Sequence, residues 1–406
     1  MKRRDFLSLA LVPALAPFAR QRASTRPPAR RTNLTIRGDA FYINGRPTYA
    51  GRRFNGQKVE GLLMNTRMVQ GIFDDLTPET ATRWVYPDTG KWDPERNTTE
   101  FVAAMPDWKA NGVLAFTLNL QGGTPGGQGG RGRGAGGANA PGGAAQAPRG
   151  QGGPAARGPA GPMPENTAID ADGGLRPAYM ARLQRILDRA DELGMVAIVG
   201  YFYFGQDQRL KDEAAVRRGV LNATNWILDH GYTNVLVEIN NECNISYDHD
   251  ILKPPRLPEL FDLVRQQTRN GRHLMVSSSF GGTDSSPTGR EHPDTPATAN
   301  VSKAADFLLI HGNGPNDPAL IRRCIAGTRA LAGTRKPVLI NEDPNFHFTE
   351  NENHLLASVG EYVSWGYYEQ GQNNYQDGYQ SPPVNWGINS ENKRQFFGLV
   401  KKVTGV

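Results

Sequence analysis

Cysteine is scarce in this sequence, which has only Cys243 and Cys324 among 406 residues. A small secreted domain held by disulfides needs many more, so we interpret the two cysteines as buried thiols. Hydrophobic residues are also few, at 38%. That shortage has a local origin, because many of the 47 glycines and 29 prolines fall in one tract. The rest of the chain has enough apolar segments for a sizeable core.

Several catalytic motifs are missing as well. There is no HExxH and no GxSxG, so neither a zinc-protease helix nor a serine-hydrolase nucleophile elbow has any basis. No Gly-rich phosphate turn follows the first predicted strand, as a dinucleotide-binding open sheet would require. The run Asp248-His249-Asp250 has ligand-type side chains, but no second motif supports a metal there. We therefore expect no cofactor and no metal.

The sequence also has no apolar run long enough to span a bilayer stably. The apolar stretch near the N-terminus is short, contains two prolines and follows Arg3-Arg4. This pattern resembles the twin-arginine signal, which exports folded proteins. It predicts a cleaved signal peptide over residues 1–23, a periplasmic or secreted protein, and no stable membrane anchor. Residues 24–32 are polar, basic and proline-containing, which is typical of a disordered linker.

The formal net charge of +6 does not describe the folded body. Basic residues are concentrated in the first 31 positions and in the tract 122–161, so the remainder is mildly acidic. A basic nucleic-acid-binding face is not supported, and no nucleic-acid partner is expected. The tract consists of Gly, Ala, Pro, Gln and Arg and has almost nothing to bury, which predicts a disordered insertion. RNA binding by its arginines is less favoured, because it has no aromatic side chains to stack on bases.

Apolar runs of strand length alternate with amphipathic helical stretches from residue 59 onward. The predicted strands are 61–73, 113–120, 195–204, 234–240, 273–279, 306–311, 337–341 and 362–368. The predicted helices are 98–111, 175–193, 213–230, 257–270, 319–331, 353–359 and 390–403. Eight strands with helices between them predict an α/β fold, a (β/α)₈ TIM barrel over residues 33–406, with the insertion after strand 2. A doubly wound open sheet is the alternative.

Two segments flank this regular series of elements. Short β-prone runs at Leu34–Ile36 and Phe41–Ile43, with turn residues after each, predict an N-terminal hairpin that caps the barrel floor. The stretch Gly366–Trp386 is dense in Tyr, Asn and Gln, and we expect it to line the cleft. The pattern predicts no particular oligomeric state.

Carboxylates follow two of the predicted strands directly. The fourth strand ends in Glu238-Ile239-Asn240-Asn241-Glu242, and the seventh in Asn341-Glu342-Asp343. Catalytic groups of such barrels lie at the C-terminal ends of strands, and a buried carboxylate is costly unless it is paired. Glycoside cleavage needs two carboxyl groups flanking one bond. A regular fourth strand would place Glu238, Asn240 and Glu242 on one side and Asn241 on the other. A cap for the following helix is the alternative interpretation of the fourth-strand cluster.

These strand ends resemble those of clan A glycoside hydrolases, which include the cellulase-like family 5. The resemblance covers residues 33–405 and implies that Glu242 is the acid/base and Glu342 the nucleophile of a retaining hydrolase. His311, at the end of the sixth strand, is similar to the family's histidine near the nucleophile. Trp365 is similar to its sugar-stacking tryptophan, and Arg67 to the first-strand arginine that orients the nucleophile. The implied partner is an oligo- or polysaccharide with β-linkages.

The implied roles set specific expectations for the site. Asn241 should hydrogen-bond the sugar 2-hydroxyl, and the pKa of Glu242 should be raised by its apolar surroundings and by Glu342. A cation such as Arg67 should keep Glu342 ionised. The chain departs from the family pattern at Cys243, where proline is usual, and at Asp343, where an aromatic or small residue is common.

Sugar sites combine amides with aromatic rings, and other strand ends supply both types. The further substrate-binding candidates are Asn119, Gln121, Tyr203, Asn313 and Tyr368. A catalytically weak or inactive carbohydrate-binding barrel remains the main alternative to a hydrolase. A surface adhesion protein that uses the arginine-glycine tract, with the barrel as scaffold, is a third hypothesis.

Overall fold

The computed structural model describes residues 29–122, 164–245, 247–281, 296–314, 316–369, 375 and 377–406. The predicted signal peptide over 1–23 lies outside the described residues. The predicted insertion lies outside them too, apart from residue 122.

The described residues form fourteen strands and nine α-helices. The strands are β1 (Leu34–Arg37), β2 (Ala40–Ile43), β3 (Arg46–Pro47), β4 (Arg53–Phe54), β5 (Gln57–Lys58), β6 (Asn65–Arg67), β7 (Ala115–Asn119), β8 (Val196–Phe202), β9 (Val235–Asn240), β10 (Met275–Ser277), β11 (Ser279–Phe280), β12 (Leu308–His311), β13 (Val338–Glu342) and β14 (Gly366–Tyr367). The helices are α1 (Pro78–Ala81), α2 (Pro94–Ala110), α3 (Pro177–Leu193), α4 (Glu213–Asp229), α5 (Pro258–Gln266), α6 (Pro296–Ala304), α7 (Pro318–Ala332), α8 (His354–Gly360) and α9 (Glu391–Thr404). Within this part of the chain, no helix combines the length and the apolar character needed to cross a bilayer.

Parallel strands close into a barrel. One sheet has the order β10-β9-β8-β7-β6-β14 and another the order β11-β12-β13, and every pair is parallel. Only Ser278 separates β10 from β11, so the two act as one barrel strand. Parallel bridges Leu339–Ser364 and Asp343–Tyr367 join β13 to the segment of β14. The ring therefore has eight strands, which confirms the predicted (β/α)₈ barrel and excludes the open sheet.

Most predicted elements agree with the structure to within a few residues, and two differ instructively. The first barrel strand is only Asn65–Arg67, in the middle of the predicted range 61–73. Helix α6, Pro296–Ala304, was not predicted. Its sequence, PATANVSKA, consists mostly of small and polar residues and lacks a clear apolar stripe.

The N-terminal hairpin closes one mouth of the barrel. β1 pairs antiparallel with β2 around a two-residue turn at Gly38-Asp39, and the Leu34 amide donates to the Thr233 carbonyl, 2.9 Å away. The side chains of Leu34 and Phe41 are at most 2% exposed and pack with residues inside the barrel. The hairpin thus covers the N-terminal ends of the barrel strands.

Residues 30–32 belong to the folded body, so the expectation of a disordered linker up to residue 32 is wrong at its end. The guanidinium of Arg30 lies 2.7 Å from a carboxylate oxygen of Asp188 and 3.8 Å from the centre of the Tyr232 ring. The Thr32 amide donates to Asp191, 2.8 Å away. These two acids on α3 supply partners that the composition of the linker does not reveal.

The larger core lies between the barrel strands and the surrounding helices. Tyr367, Tyr379 and Trp386 belong to it and are at most 1% exposed. The Trp386 ring packs against Phe101 of α2, and the Tyr367 ring stacks on Phe396 of α9. The expectation that the whole stretch Gly366–Trp386 lines the cleft is therefore wrong for these three aromatics.

Candidate active site

The barrel interior changes character halfway along its strands. Near the hairpin, the inward side chains are apolar; two residues further along the same strands, most of them are polar or charged. On four strands, the apolar inward residue and the polar or small inward residue that follows it are Ala115 and Thr117, Leu236 and Glu238, Leu309 and His311, and Leu339 and Asn341. The C-terminal end of the barrel therefore concentrates the side chains that are capable of chemistry, as catalytic barrels of this type require.

A register shift aims Glu342 into the barrel. Ile310 of β12 pairs with Ile340 of β13, but His311 pairs with Glu342, so Asn341 is an extra residue in β13. Such bulges re-aim side chains and occur next to active sites. As a result, both Asn341 and Glu342 reach the interior: the Asn341 amide lies 3.4 Å from Glu238, and Glu342 meets an arginine.

Glu242 sits on a strained turn just after β9. Its φ is 49°, in the left-handed region that non-glycine residues adopt at a cost of order 1–3 kcal/mol. Ser279 holds this turn: its hydroxyl accepts the Glu242 amide hydrogen at 2.9 Å, and its carbonyl accepts that of Cys243 at 2.9 Å. Strain of this kind persists only where the surroundings impose it, and it gathers at functional sites.

Regular alternation does not continue to the end of the fourth strand. Asn241 accepts a hydrogen bond from Arg67, whose guanidinium also contacts Glu342. Asn240 instead donates to the Leu252 carbonyl and accepts from the Ser278 hydroxyl. The prediction that Asn240 shares a side with Glu242, and that Asn241 faces away, is therefore wrong. Glu238 and Asn241 both face the interior although they are three residues apart, so alternation fails between them, before the turn at Glu242.

Arg67 is fully buried at the centre of the site. Its Nε lies 2.6 Å from Glu342 Oε2, and one terminal nitrogen donates to Asn241 Oδ1 at 2.6 Å. Burial lowers the pKa of the guanidinium, but the negative charges of Glu342 and Glu238 outweigh that effect and leave the pKa above its ordinary value. A permanent positive charge therefore faces Glu342.

His311 and Asn313 connect the two glutamates. His311 Nδ1 lies 2.9 Å from Glu242 Oε1 and 3.4 Å from Glu342 Oε2. The Asn313 amide donates to both carboxylates, at 3.1 Å and 2.7 Å respectively. Burial lowers the pKa of His311, but the charge of Glu342 and the hydrogen bond and charge of Glu242 raise it above its ordinary value. The two carboxylates therefore stabilise the protonated form of His311.

The carboxylates face each other across a narrow gap. One oxygen of Glu242, one oxygen of Glu342 and a ring nitrogen of His311 all lie within 4.8 Å of one another. Among the residues that the structure describes, this is the one group of three side chains spaced to hold a metal ion. Arg67 and Asn313 already serve the same carboxylates, however, and a bound cation would have to compete with them. Glu242 and Glu342 keep 7% and 6% of their surfaces exposed, so both reach solvent.

Three more predicted candidates lie in or beside this site. Tyr203 and Tyr368 flank Glu342, and the pKa of each phenol is raised by burial first and then by the charge of that carboxylate. Asn119 is 2% exposed, and neither of its amide atoms has a hydrogen-bond partner among the described residues. Gly200 makes room for it, since a Cβ there would lie 2.3 Å from the Asn119 amide oxygen.

Two further residues that were predicted to bind substrate make structural contacts in the fold. Gln121 accepts from the Tyr203 amide at 3.1 Å and donates to the Gln206 carbonyl at 3.3 Å, so its amide braces two loops. Trp365 is fully buried, and its ring packs against Phe348 and Phe396 in the outer core. The sugar-stacking role implied for Trp365 does not fit this position, because strand alternation directs Trp365 outward and Gly366 inward.

Comparisons with known proteins place the fold. No protein-family model matches the sequence, and no curated protein is detectably similar to it. A β-glucosidase structure from Thermotoga maritima aligns with a TM-score of 0.50 and 9% identity, covering 86% of this chain and 99% of its own. A β-mannanase from the blue mussel Mytilus edulis aligns at 0.49 and 10% identity, covering 92% and 96%. A glycoside hydrolase family 5 structure from Bacteroides vulgatus aligns at 0.49 and 12% identity, covering 89% and 69%. The alignment with the β-glucosidase, at a TM-score of 0.50, shows a shared fold.

Proposed function

We propose that this protein is a retaining glycoside hydrolase of β-linked glycans, with Glu342 as nucleophile and Glu242 as acid/base. The observation that carries the proposal is the close approach of the two carboxylates, with an oxygen of each within 4.8 Å at the C-terminal end of the barrel. Retaining glycosidases hold their carboxyl groups about 5–5.5 Å apart, whereas inverting ones need about 6.5–9.5 Å to admit a water molecule. The 4.8 Å limit applies to the nearest oxygens, and carboxylates this close support direct attack by Glu342 on the sugar.

The charges around the two glutamates support the division of roles. Arg67 Nε lies 2.6 Å from Glu342 Oε2, and this permanent positive charge complements the negative charge of a nucleophilic carboxylate. Glu242 and Glu342 share the hydrogen-bond donors His311 and Asn313. His311 Nδ1 lies 2.9 Å from Glu242 Oε1, close enough to exchange a proton with the proposed acid/base.

The proposed reaction is a double displacement. Glu342 attacks the anomeric carbon while Glu242 gives its proton to the departing glycosidic oxygen, which leaves a covalent glycosyl-enzyme. Glu242 then takes a proton from water, and the resulting hydroxide equivalent displaces Glu342. Asn241 Nδ2 is buried without a protein partner among the described residues, so it is free to donate to the sugar 2-hydroxyl in the transition state. Asn119, Tyr203 and Tyr368 supply further polar contacts to the same sugar.

The N-terminal sequence supports a location outside the cytoplasm. Arg3-Arg4, followed by a short apolar stretch, fits a twin-arginine-type signal and export to the periplasm or beyond. Such a location gives a hydrolase access to polymeric glycans that do not enter the cell.

The direct test is hydrolysis of a panel of β-linked oligosaccharides, with the product anomer followed by proton NMR. We expect release of the β-anomer first, with the α-anomer appearing later by mutarotation. Initial release of the α-anomer would overturn the retaining mechanism, and no turnover on any substrate would overturn the hydrolase.

One observation favours a second candidate, a carbohydrate-binding barrel without turnover. Both His311 and Asn313 donate to Glu242, and these bonds stabilise its ionised form, which cannot protonate a leaving group. Glycan binding in calorimetry, combined with no hydrolysis by the wild-type protein, would favour this candidate.

A further inference from the structure

Asp343 directly follows the proposed nucleophile, yet its side chain lies outside the barrel interior, where it is completely buried. Its Oδ2 accepts the indole hydrogen of Trp365 at 2.8 Å and lies 2.8 Å from His354 Nδ1. Its Oδ1 accepts the backbone and side-chain hydrogens of Asn345 at 3.0 Å and 2.8 Å. Four donors thus converge on one carboxylate, which is the number of good acceptor sites it has.

The surroundings fix the proton of His354. The Asp317 amide donates to His354 Nε2 at 3.1 Å, so that nitrogen accepts and the ring proton sits on Nδ1. Nδ1–H therefore donates to Asp343. The carboxylate links the end of β13 to the first residue of α8 and, through the histidine, to the start of α7.

Asp343 also contacts the strand on each side of β13. A Cβ on Gly312 would lie 2.1 Å from Asp343 Oδ2, so the carboxylate packs directly on the glycine backbone. The Gly312 amide donates to the Glu342 carbonyl at 2.7 Å, and Asn345 donates to the Gly312 carbonyl at 3.2 Å. On the other side, the Tyr368 amide donates to the Asp343 carbonyl at 3.2 Å.

These contacts join Asp343 to segments that contain residues of the proposed active site. Gly312 lies between His311 and Asn313, which hold both glutamates, while Glu342 precedes Asp343. We propose that Asp343 is a positioning residue, which sets the orientation of Glu342 relative to the His311-Gly312-Asn313 segment. The expected effect of Asp343 on turnover rests on the proposed hydrolase function. Its effect on the orientation of Glu342 does not.

The decisive variant is Asp343→Asn, which keeps the size of the side chain. Two donors point at each carboxylate oxygen, so the new amide nitrogen must face two donors whichever way it turns. We expect kcat to fall about 10- to 100-fold, the usual effect of losing a residue that orients a catalytic or ligating group, with KM changed less than about threefold.

A matched control separates positioning from general destabilisation. Tyr201 lies on β8, which is diametrically opposite β13 in the barrel, and Tyr201→Phe removes its buried hydrogen bond to Thr224 of α4. This control should lower the unfolding temperature and leave kcat per folded molecule unchanged. If Asp343→Asn reduces kcat no more than Tyr201→Phe does, the positioning role is refuted.

A second measurement needs no turnover. Nitrogen-15 NMR of the histidine rings, with His311 assigned from the His311→Gln spectrum, reports how close the carboxylates lie to His311. We expect Asp343→Asn to shift the His311 titration towards lower pH by at least about half a unit, because the carboxylates move away. An unchanged titration would overturn the positioning proposal. If the wild type is inactive but the titration shifts, the hydrolase proposal fails and the positioning role stands.

Discussion

The two halves of the barrel interior are equally buried but built differently. The half near the hairpin holds side chains such as Ile198, Leu236 and Leu339, all unexposed. The half at the C-terminal end holds Arg67, Glu238 and His311, also unexposed. An apolar side chain is stabilised by burial alone, at about 25 cal/mol per Å² removed from water. A charged one is stabilised only if its partners are in place. The first half therefore supports the fold, and the second supports chemistry at the expense of stability.

The cost of the second half is visible in its hydrogen bonding. Within the described chain, several buried polar atoms there have no protein partner: Asn119 Nδ2 and Oδ1, Glu238 Oε1, Asn241 Nδ2, His311 Nε2 and Asn341 Oδ1. Each such atom costs about 1–3 kcal/mol if nothing satisfies it. Burial also raises the pKa of Glu238, with the charges of Arg67 and His311 opposing it. A region selected for stability alone would not combine these features.

The largest effect is expected from a substitution of Glu342, in the polar half of the interior. Replacing Glu342 with Gln should reduce kcat by at least about 10⁴-fold, since nucleophile removal in other hydrolases has effects of this size or larger. The protein should still fold, because the amide keeps the volume and a hydrogen-bonding oxygen. Steady-state kinetics and circular dichroism measure the two quantities. Near-normal kcat in a folded Glu342→Gln protein would remove Glu342 from the mechanism.

The opposite result is expected in the half near the hairpin. Leu236→Ala should lower the free energy of unfolding by about 2–5 kcal/mol through lost burial and a cavity. Activity per folded molecule should remain close to that of the wild type. Leu236 belongs to the apolar half of the interior, two residues before Glu238 on the same strand. Denaturant unfolding and active-site titration test this pair of expectations. A large loss of kcat without loss of stability would contradict the division of the interior.

The smallest effect concerns the pH dependence of stability through His311. Its pKa is raised in the folded state because the opposing effect of burial is outweighed by Glu342 and Glu242. Its contribution to stability is therefore complete below about pH 6.5, the unfolded value, and is lost as pH rises through the higher folded value. His311→Gln should remove the part of the pH dependence of the unfolding free energy that His311 contributes. Urea unfolding of both proteins across this range measures it, and identical slopes would show that His311 does not hold the extra proton.

Much of the fold followed from local pattern. The predicted strand 195–204 and helix 213–230 correspond to β8 and α4 nearly residue for residue, because apolar runs and helical periodicity report burial directly. The unpredicted helix α6 has no such stripe. The strand-end glutamates were also visible, because a carboxylate after a buried strand is rare without a partner.

Side-chain direction was less predictable. Alternation fails between Glu238 and Asn241 and at the Asn341 bulge, and Glu242 adopts a φ of 49°, so a regular strand predicts none of these directions. Trp365 and Tyr379 belong to an aromatic type that suits both a sugar platform and a core, and packing against α9 and its neighbours decided between the two. The carboxylate network of Asp343 joins residues that are far apart in sequence only after the barrel closes.

The sequence by itself determined the eight-strand barrel and the positions at which its strands end in Glu242 and Glu342, since burial periodicity and charge placement are properties of the chain. Tertiary structure alone decided which atoms meet. The 4.8 Å grouping of Glu242, His311 and Glu342, and the contact of Arg67 with Glu342, depend on a bulge, a strained turn and the closure of the ring. Hydrogen bonds and ion pairs act over a few ångströms, and only the folded chain sets distances on that scale.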